Sequence, residues 1–101
     1  MKGIINLSDI QRVLTIKFDT DKNMLMVNEQ PIKCDVKSYA NRLQTIISLW
    51  DKVMIDDSVS DGEHYSVKIK ADDNIMEYLG ANKFPSNYRD FITLINEVAK
   101  W

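Results

Sequence analysis

The run VLTIKFDTDKNMLMVNEQPIKC (residues 13–34) passes directly into DVKSYANRLQTIISLWDKVM (residues 35–54), and the apolar period changes at that junction. Over Val13–Phe18, Leu14, Ile16 and Phe18 alternate with Val13, Thr15 and Lys17, the repeat of a strand with one buried face. Asp19-Thr20-Asp21-Lys22-Asn23 then supplies short polar side chains that bond their own backbone and turn the chain. Met24-Leu25-Met26-Val27 resumes an extended apolar run, so the two segments form a hairpin. Asn28-Glu29 reads as a second tight turn into a third strand, Gln30 to Cys34. Pro31 lacks the N–H that an interior strand donates, which assigns this strand to a sheet edge.

From Asp35 onward the apolar spacing is three and four. Val36, Tyr39, Ala40, Leu43, Ile46, Ile47, Trp50, Val53 and Met54 share one face, with Lys37, Arg42, Gln44, Ser48 and Lys52 on the other. The spacing predicts a helix reaching Met54, its first turn capped by the Asp35 carboxylate. An acidic stretch, residues 56–63, follows, with Asp61-Gly62 as its turn signal. Tyr65, Val67 and Ile69 alternate with His64, Ser66, Lys68 and Lys70 as another half-buried strand. Asp72-Asp73-Asn74 turns the chain again, and Ile75 to Leu79 reads as a partner strand or a helical turn ended by Gly80. Phe84-Pro85-Ser86-Asn87 leads into a last helix carrying Tyr88, Phe91, Ile92, Ile95, Val98 and Ala99, capped by Ser86 or Asn87. The sum is an α+β domain with an antiparallel sheet of four to five strands, order βββαββα, and both helices packed on one face. A short extended segment at Ile4 to Leu7 can precede it.

Length and composition agree with one domain over residues 1–101, since a second core would leave each half too small to bury enough apolar surface. Hydrophobic residues at 45% and charged residues at 28% are the balance of a globular chain rather than a disordered one. Thirteen basic and 15 acidic side chains give a net charge of −2, so the whole-molecule field does not attract phosphate backbones or anionic lipid. The single cysteine, Cys34, makes no intramolecular disulfide and points to a reducing compartment. No apolar run approaches a membrane span or a secretory signal, so the expected location is cytoplasmic, with no membrane partner.

Chemistry-bearing motifs are sparse. Asp19, Asp21 and Asn23 match the first three oxygen ligands of a calcium loop, but Met24 stands where its glycine belongs and Gln30 where its closing glutamate belongs. A hairpin turn accounts for them instead, and no metal or cofactor is expected. His64 is the only histidine, and Glu63 beside it points to the opposite face of a strand, so the pair does not read as a proton-transfer couple. Cys34 lacks a local base or electropositive setting and reads as a structural thiol. Asp51, Asp56, Asp57, Asp61 and Glu63 read as a solvated acidic loop. Gly3, Gly62 and Gly80 are too far apart to build a phosphate-binding loop.

Two features point to binding. Lys17, Lys68 and Lys70, with His64, fall on the polar side of their strands and make a basic stripe on the face away from the helices. No aromatic is interleaved with them, and the acidic total argues against nucleic acid. Met24 and Met26 add apolar side chains to the same face, which a protein partner or a second copy could cover.

From Asp61-Gly62 through Tyr65–Ile69 to Tyr78-Leu79-Gly80-Ala81-Asn82-Lys83-Phe84-Pro85-Ser86-Asn87-Tyr88 and Phe91, the chain resembles a group of small uncharacterised bacterial α+β proteins. Their ending runs glycine, asparagine, aromatic-proline, asparagine-aromatic, then an amphipathic helix. The resemblance implies a bacterial origin and a strand-strand-helix ending, and brings no activity or catalytic residue with it. With no convergent acid, base, nucleophile or metal set, the residues favour a noncatalytic protein-interaction module using Met24, Met26, Lys17, Lys68 and Lys70. The alternative is a small enzyme or ligand-binding domain whose cleft would gather Cys34, Asp35, His64, Tyr78, Tyr88 or Arg89.

Overall fold

Alternation over residues 13–19 becomes a strand, and two segments join the expected strands: the extended piece at Ile4 to Leu7, which lengthens to seven residues, and Val53–Ile55, whose first two residues the spacing assigns to a helix. The computed structural model describes residues 1–58 and 62–101. Its elements are β1 (Lys2–Ser8), β2 (Val13–Asp19), β3 (Met24–Val27), β4 (Gln30–Pro31), α1 (Val36–Ile47), β5 (Val53–Ile55), β6 (His64–Ala71), β7 (Asn74–Ala81) and α2 (Tyr88–Asn96). They form an α+β domain whose strands make one sheet in the order β4-β3-β2-β1-β6-β7-β5. The sheet is mixed, because β5 runs parallel to β7 while the other pairs are antiparallel.

The expected four to five antiparallel strands thus become seven, for two reasons. The first is that the N-terminal segment is a full strand at the centre of the sheet, where β1 pairs with both β2 and β6 and Ile5 and Leu7 are fully buried. The second is that α1 stops at Ile47, well short of Met54. Trp50 turns inward with its N–H donating to the Ile47 carbonyl, and the chain leaves extended. Asn87 donates its side-chain N–H to the Ile46 carbonyl at 2.9 Å, satisfying one of the acceptors that a helix end leaves open. The spacing of Val53 and Met54 therefore belongs to a strand, in which Met54 lies opposite Gly80 on the core side.

Local turn chemistry follows the residues. Asp19 accepts backbone N–H bonds from Asp21 at 3.0 Å and Lys22 at 3.3 Å, and Asn23 takes a positive φ of 49°, so the Asp19 carboxylate closes a hairpin turn. Asn28 and Glu29 both have positive φ, the conformation of the two-residue hairpin turn that matches strand twist. The third strand shortens to Gln30–Pro31 and lies at the sheet edge. Asp35 caps α1 by accepting from the Ser38 N–H. At α2 the cap position is Asn87, yet its side chain makes no capping bond and serves the Trp50 contact instead. Val98 and Ala99, expected in that helix, lie past its end and still pack on the core. The Asp61-Gly62 turn signal falls partly on residues 59–61, outside the described residues.

One core joins the helices to one sheet face: Val36, Leu43 and Ile47 of α1 and Phe91, Leu94 and Ile95 of α2 cluster with Ile5, Ile16, Leu25 and Val67. Their strand register puts every second residue on the opposite face, which no element among the described residues covers.

Candidate functional site

Strand register assembles the uncovered face residue by residue. Lys17 on β2 lies opposite Ile4 on β1, and Ile4 lies opposite Lys68 on β6; Met26 flanks Lys17 on β3. One row over, Met24, Asp19, Lys2, Lys70 and Ile75 follow one another across β3, β2, β1, β6 and β7. All five anticipated residues, Met24, Met26, Lys17, Lys68 and Lys70, therefore share the face away from the helices, with Leu25 turned into the core. Two further members, Lys2 and Ile4, went unassigned because the N-terminal segment was read only as a short extended piece. The alternation of Gly3, Ile5 and Leu7 with Lys2, Ile4 and Asn6 is the signal that places them.

At the centre is an open hollow of about 310 Å³ lined by Lys2, Ile4, Lys17, Lys68 and Lys70, with the backbone at Gly3 and Phe18. Lys17 pairs with Glu29 at 3.3 Å and Lys2 approaches Asp19 at 4.0 Å. Among the described residues Lys68 and Lys70 have no carboxylate within ion-pair distance. Toward the far edge the same face carries exposed Ile75 and Leu79 on β7 and Val53 and Ile55 on β5, an apolar flank that the helical reading of residues 53–54 had hidden.

The polar groups that an enzyme reading would need are spread over the molecule. Cys34 and Asp35 stand at the start of α1, whereas Tyr88 and Arg89 begin α2 beside Trp50, past the other end of that helix. A 12-residue helix separates those groups by about 18 Å. His64 is exposed on the open face, while Tyr78 is buried on the core face. Burial pushes the Cys34 thiol up, and the neighbouring Asp35 charge adds to it, the opposite of thiolate activation. Among the described residues no group of three or more histidine, cysteine, aspartate or glutamate side chains could hold a metal ion.

The glycine-to-tyrosine motif at 80–88 is occupied by an aromatic corner. Gly80 sits inside β7 rather than at a turn, because a β-carbon there would fall within the Tyr65 ring. Asn82 takes the positive φ of 58°, and its Oδ1 accepts from the Glu63 N–H at 3.0 Å. Phe84 packs on Tyr65 and Tyr88 at centroid distances of 5.7 and 4.6 Å. Glu63 Oε1 accepts from both the Tyr88 hydroxyl and the Trp101 indole, and the Arg12 guanidinium stacks 4.1 Å from the Trp101 ring.

Buried tyrosines give this framework a pH limit. Tyr39 donates to the Leu94 carbonyl, Tyr65 to the Lys83 carbonyl and Tyr88 to Glu63. Burial raises all three phenols above their ordinary value, helped at Tyr39 by the Glu97 charge and at Tyr88 by Glu63. A group whose folded pKa is raised contributes stability below its unfolded value, about 10 for tyrosine, and that contribution is lost as pH climbs beyond it. Alkaline titration is expected to show phenolate absorbance rising together with loss of far-UV dichroism. Two or more phenolates forming while the dichroism stays native would contradict this.

No protein-family model, no curated protein and no solved structure matches the chain.

Proposed function

We propose that this domain is a noncatalytic protein-interaction module and that it binds through the open face of its sheet. The observation that carries the reading is the composition of that face. Met24, Val53, Ile55, Ile75 and Leu79 are all exposed large apolar side chains, and they share the face with four lysines and, among the described residues, no covering element. A sheet packed on its helices needs polar residues on its wet side, and apolar residues there gain only when something buries them. The scattered positions of Cys34, His64, Tyr78 and Tyr88 support binding over catalysis.

Met24→Lys combined with Met26→Lys tests the reading, since strand alternation charges the face while leaving Leu25 in the core. Immobilised native protein and the double variant are incubated with extract of the native cell, with Lys37→Glu on the solvent side of α1 as control. The expected result is an unchanged denaturant midpoint and a bound protein lost from the double variant alone, corresponding to a binding cost of about 1–3 kcal/mol. If the face closes on a second copy instead, light scattering over a concentration series detects a dimer that the same variant dissociates. Retention of every bound species by the variant, with a monomer throughout, removes the proposal.

A further inference from the structure

We infer that the partner presents an acidic, apolar-containing polypeptide segment, which the four lysines around Ile4 receive; this rests on the open face being the binding surface. The lysines are gathered against the grain of the chain. Its net charge is −2, yet Lys2, Lys17, Lys68 and Lys70 converge on one hollow, with Asp19 and Glu77 as the strand carboxylates near them. Lys2 lies directly opposite Lys70 across the β1–β6 pair, and like charges directly opposite destabilise a sheet. Lys2 has Asp19 on its other side at 4.0 Å, whereas Lys70 has no carboxylate within ion-pair distance among the described residues. An arrangement that costs the free protein stability is relieved by an anionic occupant.

The hollow also specifies what kind of anion. Ile4 lines it among the lysines, and a second depression lined by Lys17, Asp19, Met24 and Met26 adjoins it at Lys17. An apolar residue within the hollow and flexible methionines beside it suit aliphatic side chains set between carboxylates. Nucleic acid is the poorer fit. The strand positions around the lysines carry no Phe, Tyr or Trp on which a base could stack, the one imidazole of this face, His64, lies at the other end of β6 from Lys70, and Asp19 and Glu77 interrupt the lysines where a phosphate chain would run.

The test is a titration of isotope-labelled protein, followed by amide shifts, with three probes: a synthetic peptide alternating glutamate and leucine, the same peptide with lysine for glutamate, and oligothymidylate. The glutamate peptide is expected to shift the amides of Lys2, Ile4, Lys17, Lys68 and Lys70, and to lose about tenfold in affinity from low to high salt. Lys70→Glu is expected to weaken that binding at least tenfold while raising the denaturant midpoint, because it converts the opposition with Lys2 into attraction and leaves Lys68 opposite Glu77. A midpoint that rises as binding falls separates a binding role from a structural one. Absence of shifts on this face, equal binding of both peptides, or tighter binding of oligothymidylate overturns the inference. The two readings fail separately: if the charge-reversed protein still retains from cell extract the species that Met24→Lys/Met26→Lys loses, the face binds but its partner is not acidic.

Discussion

Trp50→Ala is expected to lower folding stability by about 3–5 kcal/mol, the cost of deleting a buried aromatic ring without collapse of the site. The indole is 7% exposed and lies where the chain leaves α1 for β5, so it touches elements that no local contact connects. Its ring meets Phe91 of α2 at 4.9 Å, Tyr65 of β6 at 5.5 Å and Tyr78 of β7 at 6.2 Å, all edge-on. Its N–H donates to Asn87 Oδ1 at 2.6 Å, so truncation also leaves that oxygen without its donor. Domains of this size have about 5–15 kcal/mol in total, and the variant should therefore sit near the limit of folding. Urea unfolding with an unchanged slope and a large fall in midpoint is the outcome that supports this. A midpoint close to that of the native protein would show that the ring does not hold the helix end to the sheet.

Gly80→Val is expected to cost about 3 kcal/mol, the upper part of the range for overpacking. Tyr65 covers the glycine so closely that even a β-carbon has no room. The ring cannot swing aside freely, because its hydroxyl donates to the Lys83 carbonyl at 2.8 Å and its faces pack on Phe84 and Tyr88. The cause is isolated by combining the change with Tyr65→Ala. Removing the ring should make the valine markedly less costly, a coupling between the two positions that a double-mutant cycle measures. If valine costs as much without the ring as with it, backbone conformation rather than the clash explains the glycine. Phe18 covers Gly3 on β1 in the same way, so two glycines open space for two rings on one sheet face.

Those rings also explain why the 80–88 motif was legible as a pattern and not as a mechanism. Gly80 reads as a chain terminator when only backbone freedom is considered, yet it lies within a strand and serves a neighbour 15 positions earlier. Asn87 reads as a helix cap, and its amide instead ties α1 to α2 through Trp50 and the Ile46 carbonyl. In both cases a residue with a good local use was taken by a tertiary contact, and a single sequence carries no mark of which use prevails. The candidate face was more accessible. Once Lys17, Lys68, Lys70, Met24 and Met26 are on strands, alternation alone settles that they share a side.

By itself the sequence determined the elements with short-range causes: the hairpin turns at Asp19–Asn23 and Asn28-Glu29, the Asp35 cap, the edge position of Pro31, and the burial of Leu14, Ile16 and Phe18 against Thr15 and Lys17. Each rests on residues within a few positions of one another, where side-chain chemistry and backbone period act directly. The tertiary structure alone decided that Lys2–Ser8 is the central strand, that Val53–Ile55 leaves the helical pattern to pair in parallel with β7, and that Lys2 faces Lys70 around Ile4. These depend on which strands become neighbours and in what register. That choice is made by the total surface buried between distant segments, and apolar alternation is equally compatible with many pairings.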